Sequence, residues 1–153
     1  MNIRMAKLSD TKTIYDLICD MENTKLDYNK FEKVFNCYLS DSRFFCIAAE
    51  QDTSVIGCLN LRIEYQLHHT GKIAEIMELA VMDIFRSKGI GKKLFEKASE
   101  FAKNNNCLQI EVCCNQLRLD AHRFYERQGM HKFHYKLSMS LSGKEIKENI
   151  LGL

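Results

Sequence analysis

The 153-residue chain contains no proline. That removes one boundary signal, so helix ends must be read from Gly, Asn, Asp and Ser. No apolar run approaches the roughly 20 residues that a membrane-spanning helix needs. The first residues, Met1-Asn2-Ile3-Arg4-Met5, lack the apolar stretch of a signal peptide. Net charge is scarce too: +2 at pH 7 is too small to argue for a nucleic-acid partner, and no separate basic recognition helix is visible. There is no internal repeat and no Gly/Ser linker. These absences set an expectation of one cytoplasmic domain, residues 1–153, with neither a membrane nor a nucleic acid as partner. The 46% hydrophobic and 27% charged residues suit a globular chain.

The seven cysteines (19, 37, 46, 58, 107, 113 and 114) are odd in number, and no pair has the two-residue gap of a zinc knuckle or a thioredoxin-like motif. Cys46, Cys58, Cys113 and Cys114 sit in apolar, strand-like runs, which reads as reduced thiols buried as small hydrophobes. A catalytic Cys–His pair is the alternative.

Periodicity orders the chain. Ile3–Ala6 reads as a strand. Ser9 or Asp10 can cap a helix carrying Ile14, Leu17, Ile18 and Met21 on one face. A second helix spans about Asn29 to Leu39. Strands follow at 44–50 and 55–66 around the turn Gln51-Asp52-Thr53-Ser54, then a long strand at 73–82. Gly89-Ile90-Gly91 opens a helix that Asn104-Asn105-Asn106 stops. A buried strand over 108–114, a helix over 117–128 ended by Gly129 and a last strand over 133–141 complete the order β-α-α-β-β-β-α-β-α-β. The fold class is α/β (α+β), a mixed central sheet flanked by helices, because the strand–helix–strand crossover needs parallel neighbours. The tail from 142 to 153 could be a short helix or disordered.

The strongest local signal is the junction of the 73–82 strand with the following helix, Arg86-Ser87-Lys88-Gly89-Ile90-Gly91. Glycine lets backbone approach a ligand closely, and the first helical N–H groups lack internal partners and point where the macrodipole is positive. Arg86, Lys88 and Lys92 or Lys93 add charge, so the junction can hold an anion. It departs from a Walker loop and from a dinucleotide fingerprint. A plain helix start with a solvated basic face is the bland alternative.

At these residues the chain resembles a family. Ala74-Glu75-Ile76-Met77-Glu78-Leu79-Ala80-Val81 with Arg86–Gly91, followed by Asn115 and Ala121-His122-Arg123-Phe124-Tyr125-Glu126-Arg127-Gln128-Gly129-Met130, is similar to the two acetyl-CoA-binding segments of GNAT N-acetyltransferases. Leu67-His68-His69 and Asp120-Ala121-His122-Arg123-Phe124-Tyr125 look closer to one branch, the aminoalkylphosphonate N-acetyltransferases. Asp83 stands where many members carry proline, and Met130 replaces the usual aromatic.

The resemblance implies the GNAT fold and acetyl transfer from acetyl-CoA to the primary amine of a small molecule, by direct attack in a ternary complex. Aminoalkylphosphonates are the candidate acceptors. Another amine (aminoglycoside, polyamine, amino acid or protein) or a non-catalytic acyl-CoA-sensing regulator are the alternatives. It implies cofactor contacts from Leu79, Ala80, Val81, Arg86, Ser87, Lys88, Gly89, Ile90, Gly91, Lys92, Asn115, Ala121, Phe124 and Tyr125, Glu75 as general base through a water, Tyr125 as general acid, and a homodimer.

The residues themselves add that Glu75 and Glu78 are carboxylates in an apolar strand. Burial is costly there without a partner and raises a carboxylate's pKa, as suits a base. Alternation would put Glu78 on the face opposite Glu75. His68 and His69, with Asp120 or His122, are candidates for a divalent metal or phosphonate site, the branch suggesting metal dependence. A polar loop is the alternative. Arg62, Arg118 and Arg123 are candidates for the substrate's acid group, since Arg forks match phosphonate oxygens.

Overall fold

With no proline available, an aspartate starts one helix and a glycine another. The computed structural model describes residues 1–143 and divides into two units, 1–112 and 113 onward. The first unit runs β1 (Asn2–Met5), α1 (Thr11–Met21), α2 (Tyr28–Ser40), β2 (Phe44–Gln51), β3 (Ser54–Gln66), β4 (Gly71–Val81), α3 (Ile90–Asn104) and β5 (Cys107–Val112). The sheet order is β1-β2-β3-β4-β5. The first four strands are antiparallel, and β5 runs parallel to β4. The sheet is therefore mixed, and α3 supplies the crossover that a parallel pair requires.

Local chemistry explains the joints. The Asp27 side chain accepts the Lys30 amide at 3.0 Å and starts α2. Asp10 stands at the start of α1, but its carboxylate takes the Arg4 guanidinium at 2.7 and 3.0 Å and the Lys7 amide at 2.7 Å. Arg4 also pairs with Glu50, so this cluster ties β1 and β2 to the α1 start. Asp52 and Thr53 both have positive φ, the two-residue turn geometry that matches strand twist. Asn105 and Asn106 close α3, with Asn106 at φ 58° and the Asn105 amide donating to the Phe101 carbonyl.

The sheet has two different faces. One packs α1 and α2 through Ile14, Leu17, Ile18 and Phe35 onto Cys46, Ala48, Val55, Cys58 and Ala80. Alternation puts Ile47, Leu59, Leu61 and Ile76 on the other face, where α3 brings the buried Leu94, Phe95 and Ala98. Phe45 meets Phe101 there at 4.5 Å.

The second unit holds α4 (Leu119–Arg127). Gly129, at φ 87°, ends it, with the Met130 amide donating to the Tyr125 carbonyl at 3.1 Å. Two expectations are corrected. No strand forms over 133–141: the alternation is present, but a strand needs a backbone ladder, and Phe133, Tyr135, Leu137, Met139 and Leu141 are all exposed. Cys113 and Cys114 lie past the end of β5, exposed and half-buried, whereas Cys46 and Cys58 are buried. Apart from Ser142 and Gly143, the tail expected over 142–153 lies outside the described residues.

Candidate active site

A regular strand would send Glu75 and Glu78 to opposite faces. The register of β4 on β3 pairs Glu78 with Asn60, then Ile76 with Leu61 and Glu75 with Arg62. Met77 is left as an extra residue, a β-bulge. Three positions plus one skipped alternation bring both carboxylates to the same face, beside Cys58, Asn60 and Arg62. The expectation of opposite faces is thereby corrected. This is the face that α1 and α2 cover.

The two carboxylates have different surroundings. Glu75 receives Arg62 Nη2 at 2.6 Å, and the same nitrogen reaches Glu64 at 3.4 Å. Glu78 has no guanidinium among its described partners. Asn60 Nδ2 donates to its Oε2 at 2.9 Å, and burial pushes its pKa above the ordinary value, opposed by that hydrogen bond and helped by the negative Glu22. The half-buried Tyr38 of α2 stands over the same strip, stacked on Phe44 at 4.0 Å. Burial and Glu78 push its phenol up to about 12. Cys46 and Cys58 are pushed up to about 12 by burial, so neither is a thiolate nucleophile near neutral pH. The two carboxylates thus differ in partner: Glu75 faces the Arg62 guanidinium, Glu78 the neutral amide of Asn60.

β4 also provides an open backbone edge. β5 pairs with it only from Lys72 to Ile76, while β3 stays paired through Val81. Leu79, Ala80 and Val81 therefore have no strand of the first unit on their second edge, where alternate backbone groups face outward. A short 3-10 turn, Asp83–Phe85, leads to the helix start. Ser87 and Gly89 adopt positive φ, 59° and 79°. A Cβ on Gly89 would meet nothing within 4 Å, so glycine serves the backbone angle rather than space. The Lys93 amide is the donor to the Gly89 carbonyl, and helix geometry leaves the preceding amides of Gly89, Ile90, Gly91 and Lys92 without helical acceptors. Lys88 lies over the Phe85 ring, and Lys92 faces Glu96 at 3.8 Å. The Arg86 guanidinium is occupied: it donates to the Val81 carbonyl, Asp83 and Asp20 at 3.1, 2.8 and 2.6 Å. It ties the end of β4 to α1 and frames the cradle more than it charges it.

The histidine pair forms a 3-10 turn, Leu67–His69, with Thr70 left-handed after it. Their rings lie 4.2 Å apart, and His69 Nε2 faces Glu111 at 3.8 Å and Gln109 at 3.5 Å. Among the described residues no group of three His, Cys, Asp or Glu side chains is arranged to hold a metal ion.

In the second unit, Asn115 Oδ1 accepts the Leu117 amide at 2.9 Å, and its carbonyl faces His122 Nε2 at 2.8 Å. Asp120 pairs with Arg123, so neither is a lone charge. Ala121 and Phe124 are half-buried, and the Phe124 ring meets Tyr125 edge-on at 5.1 Å. Burial pushes the Tyr125 phenol up to about 12, which keeps its proton in place at neutral pH.

Sequence reading missed Asn60 and Tyr38. Asn60, 4% exposed in the middle of β3, was the available signal: a buried amide in a hydrophobic strand needs a partner.

An open strand edge running into a glycine-started helix, with a half-buried carboxylate on the same strand, suits an acyl-CoA thioester and an amine. A profile of the Acetyltransferase (GNAT) family matches residues 11–130, and the chain belongs to that family. It is an acetyl-CoA-dependent N-acetyltransferase. It is 34% identical over 139 residues to the aminoalkylphosphonate N-acetyltransferase of Salmonella typhimurium, covering 91% of this chain and 90% of that one. A crystal structure described as a transcriptional regulator from Bacillus halodurans superposes with a TM-score of 0.84 at 25% identity, covering 91% and 98% of the two chains. Glucosamine-6-phosphate N-acetyltransferase from Arabidopsis thaliana shares the fold, with a TM-score of 0.77 at 23% identity over 92% and 97%.

Proposed function

We propose that the chain acetylates the primary amine of a small acid-bearing molecule, with aminoalkylphosphonates as the leading acceptors, and that Glu78 is the general base. The observation that carries the reading is the bulge at Met77, which sets two carboxylates on the face under α1 and α2, on the strand whose far end has the open edge. The 34% identity to the Salmonella typhimurium enzyme over 91% of the chain supports the phosphonate acceptor.

Bound acetyl-CoA would supply the electrophilic thioester. The amides of Leu79–Val81 would hold its acyl-pantetheine part, and those from Ser87 to Lys92 its pyrophosphate. An oxyanion donor can contribute roughly 3 kcal/mol. Glu78 takes the proton of the acceptor ammonium, leaving a neutral nitrogen. Glu75 holds Arg62, and Arg62 receives the acceptor's acid group. The family resemblance assigns the proton for the departing sulfur to Tyr125, which is protonated at neutral pH. With its pKa raised to about 12 it serves as a hydrogen-bond donor more than as a strong acid. Asn115, Ala121 and Phe124 keep the cofactor role that the family resemblance implies.

The test mixes protein, acetyl-CoA and a thiol reagent with aminomethyl- or 2-aminoethylphosphonate, kanamycin, spermidine or glycine. Faster CoA release with a phosphonate than with the others is expected. No acceleration by any amine would overturn the enzymatic reading. Addition of EDTA tests the divalent-metal dependence that the resemblance implies, and light scattering tests the homodimer.

A further inference from the structure

Two buried side-chain polar atoms have no hydrogen-bond partner among the described residues: Asn60 Oδ1 and Arg62 Nε. They belong to the same face of β3, two residues apart, which is about 7 Å along a strand. One is an acceptor and the other a donor. An orphaned buried acceptor carries a desolvation cost of roughly 1–3 kcal/mol, so its place in a strand needs a reason. Asn60 is 4% exposed, and its other amide atom, Nδ2, is committed to Glu78 at 2.9 Å. The residue paired across from it on β2 is Cys46, whose small side chain cannot reach over as a long polar one would.

We propose that Asn60 seats the acceptor amine: its Oδ1 takes an N–H of the incoming nitrogen while its Nδ2 holds the Glu78 carboxylate ready for the proton. The proposal rests on the reading that this chain acetylates amines. The ammonium gives one proton to Glu78 and keeps another N–H on Asn60 Oδ1. The nitrogen lone pair is then free to form the C–N bond at the thioester carbon; as the C–S bond breaks, the nitrogen sheds a second proton and the departing sulfur takes one up, leaving a neutral amide and a thiol, and Glu78 releases the first proton to solvent. The pairing also explains the second orphan: a compact acceptor with nitrogen at one end and an acid group at the other would satisfy Asn60 Oδ1 and Arg62 Nε together.

The charged and titratable groups around Glu78 come from every packed element. They are Glu22 just past the end of α1, Tyr38 from α2, Cys46 from β2, Cys58 and Arg62 from β3 and Glu75 from β4 itself. Asn60 is the neutral hydrogen-bond donor to Glu78 among them, and such a donor favours the charged carboxylate.

Asn60→Leu, Asn60→Ser and wild type would be compared with acetyl-CoA and 2-aminoethylphosphonate across pH 5–9, with thermal melts to confirm folding. Asn60→Leu should lower kcat/KM at least thirtyfold and move the acid limb of its pH profile upward. Asn60→Ser, retaining a hydroxyl, should recover part of both and serves if the leucine variant fails to fold. Independently of turnover, a 13C-glutamate NMR titration, with Glu78 assigned through Glu78→Gln, should show the Glu78 carboxyl titrating at higher pH in Asn60→Leu. An unmoved acid limb and an unchanged KM for the amine in a folded variant would overturn the proposal, as would an unmoved Glu78 titration. If wild type turns over no amine, the proposed function has failed, and the titration alone then decides for or against the Asn60–Glu78 pairing.

Discussion

The two faces of the central sheet are built from the same strands and do opposite things. Against α3, Ile47, Leu59, Leu61 and Ile76 meet Leu94 and Ala98, large apolar side chains packed to near-zero exposure. Against α1 and α2, the strands present small groups, Cys46, Ala48, Cys58 and Ala80, and then a polar strip of Asn60, Arg62, Glu75 and Glu78. The first face holds the sheet. The second gives up apolar burial at four positions, and a fold tolerates that where the polar groups are paired or are used by a ligand.

Substitutions on each face sharpen the contrast. The largest effect is expected from Glu78→Gln, which should cut kcat/KM by about 10²–10⁴, the range for losing a general base, while the melting temperature at neutral pH holds or rises. A variant with full activity would remove Glu78 from the chemistry. On the opposite face, Leu94→Ala should cost about 2–5 kcal/mol of unfolding free energy by denaturant titration and leave kcat/KM of the folded protein near wild type. Gly57→Ala probes the same packing more gently. Its new Cβ would stand 3.1 Å from the Ala80 carbonyl oxygen and 3.3 Å from Leu94, so a loss of about 1–3 kcal/mol is expected from the same titration.

The smallest effect is a pH dependence. Glu78 has a folded pKa raised above its ordinary 4.5. Its stability contribution is therefore full below the ordinary value and is lost as pH rises through the folded one. Thermal melts of wild type and Glu78→Gln should differ little at pH 4, with the variant gaining over wild type by pH 8. A wild type that instead gains over the variant by pH 8 would show that the carboxylate is stabilised by a partner rather than strained by burial.

Much of the fold was legible because it rests on local periodicity. The apolar spacing of α1 and α3, the Asp52-Thr53 turn and the Asn stop of α3 all follow from short stretches of chain. The start of α3 was legible too, since Gly89 marks a left-handed angle before a helix. The last strand was misread because alternation at 133–141 is necessary for a strand but not sufficient: pairing is a property of two segments. The Arg86 pairing was not legible: Asp20, 66 positions earlier, takes part of its guanidinium.

Taken alone, the order of residues determined the reaction class, through motifs in which backbone conformation and side-chain type are both local. It could not determine which face and which partner each of the two strand carboxylates takes. That rests on a single bulged residue, Met77, and on Asn60 and Arg62 across the ladder choosing different carboxylates. Side-chain facing in a strand depends on register with its neighbour, and register is set only when the sheet assembles.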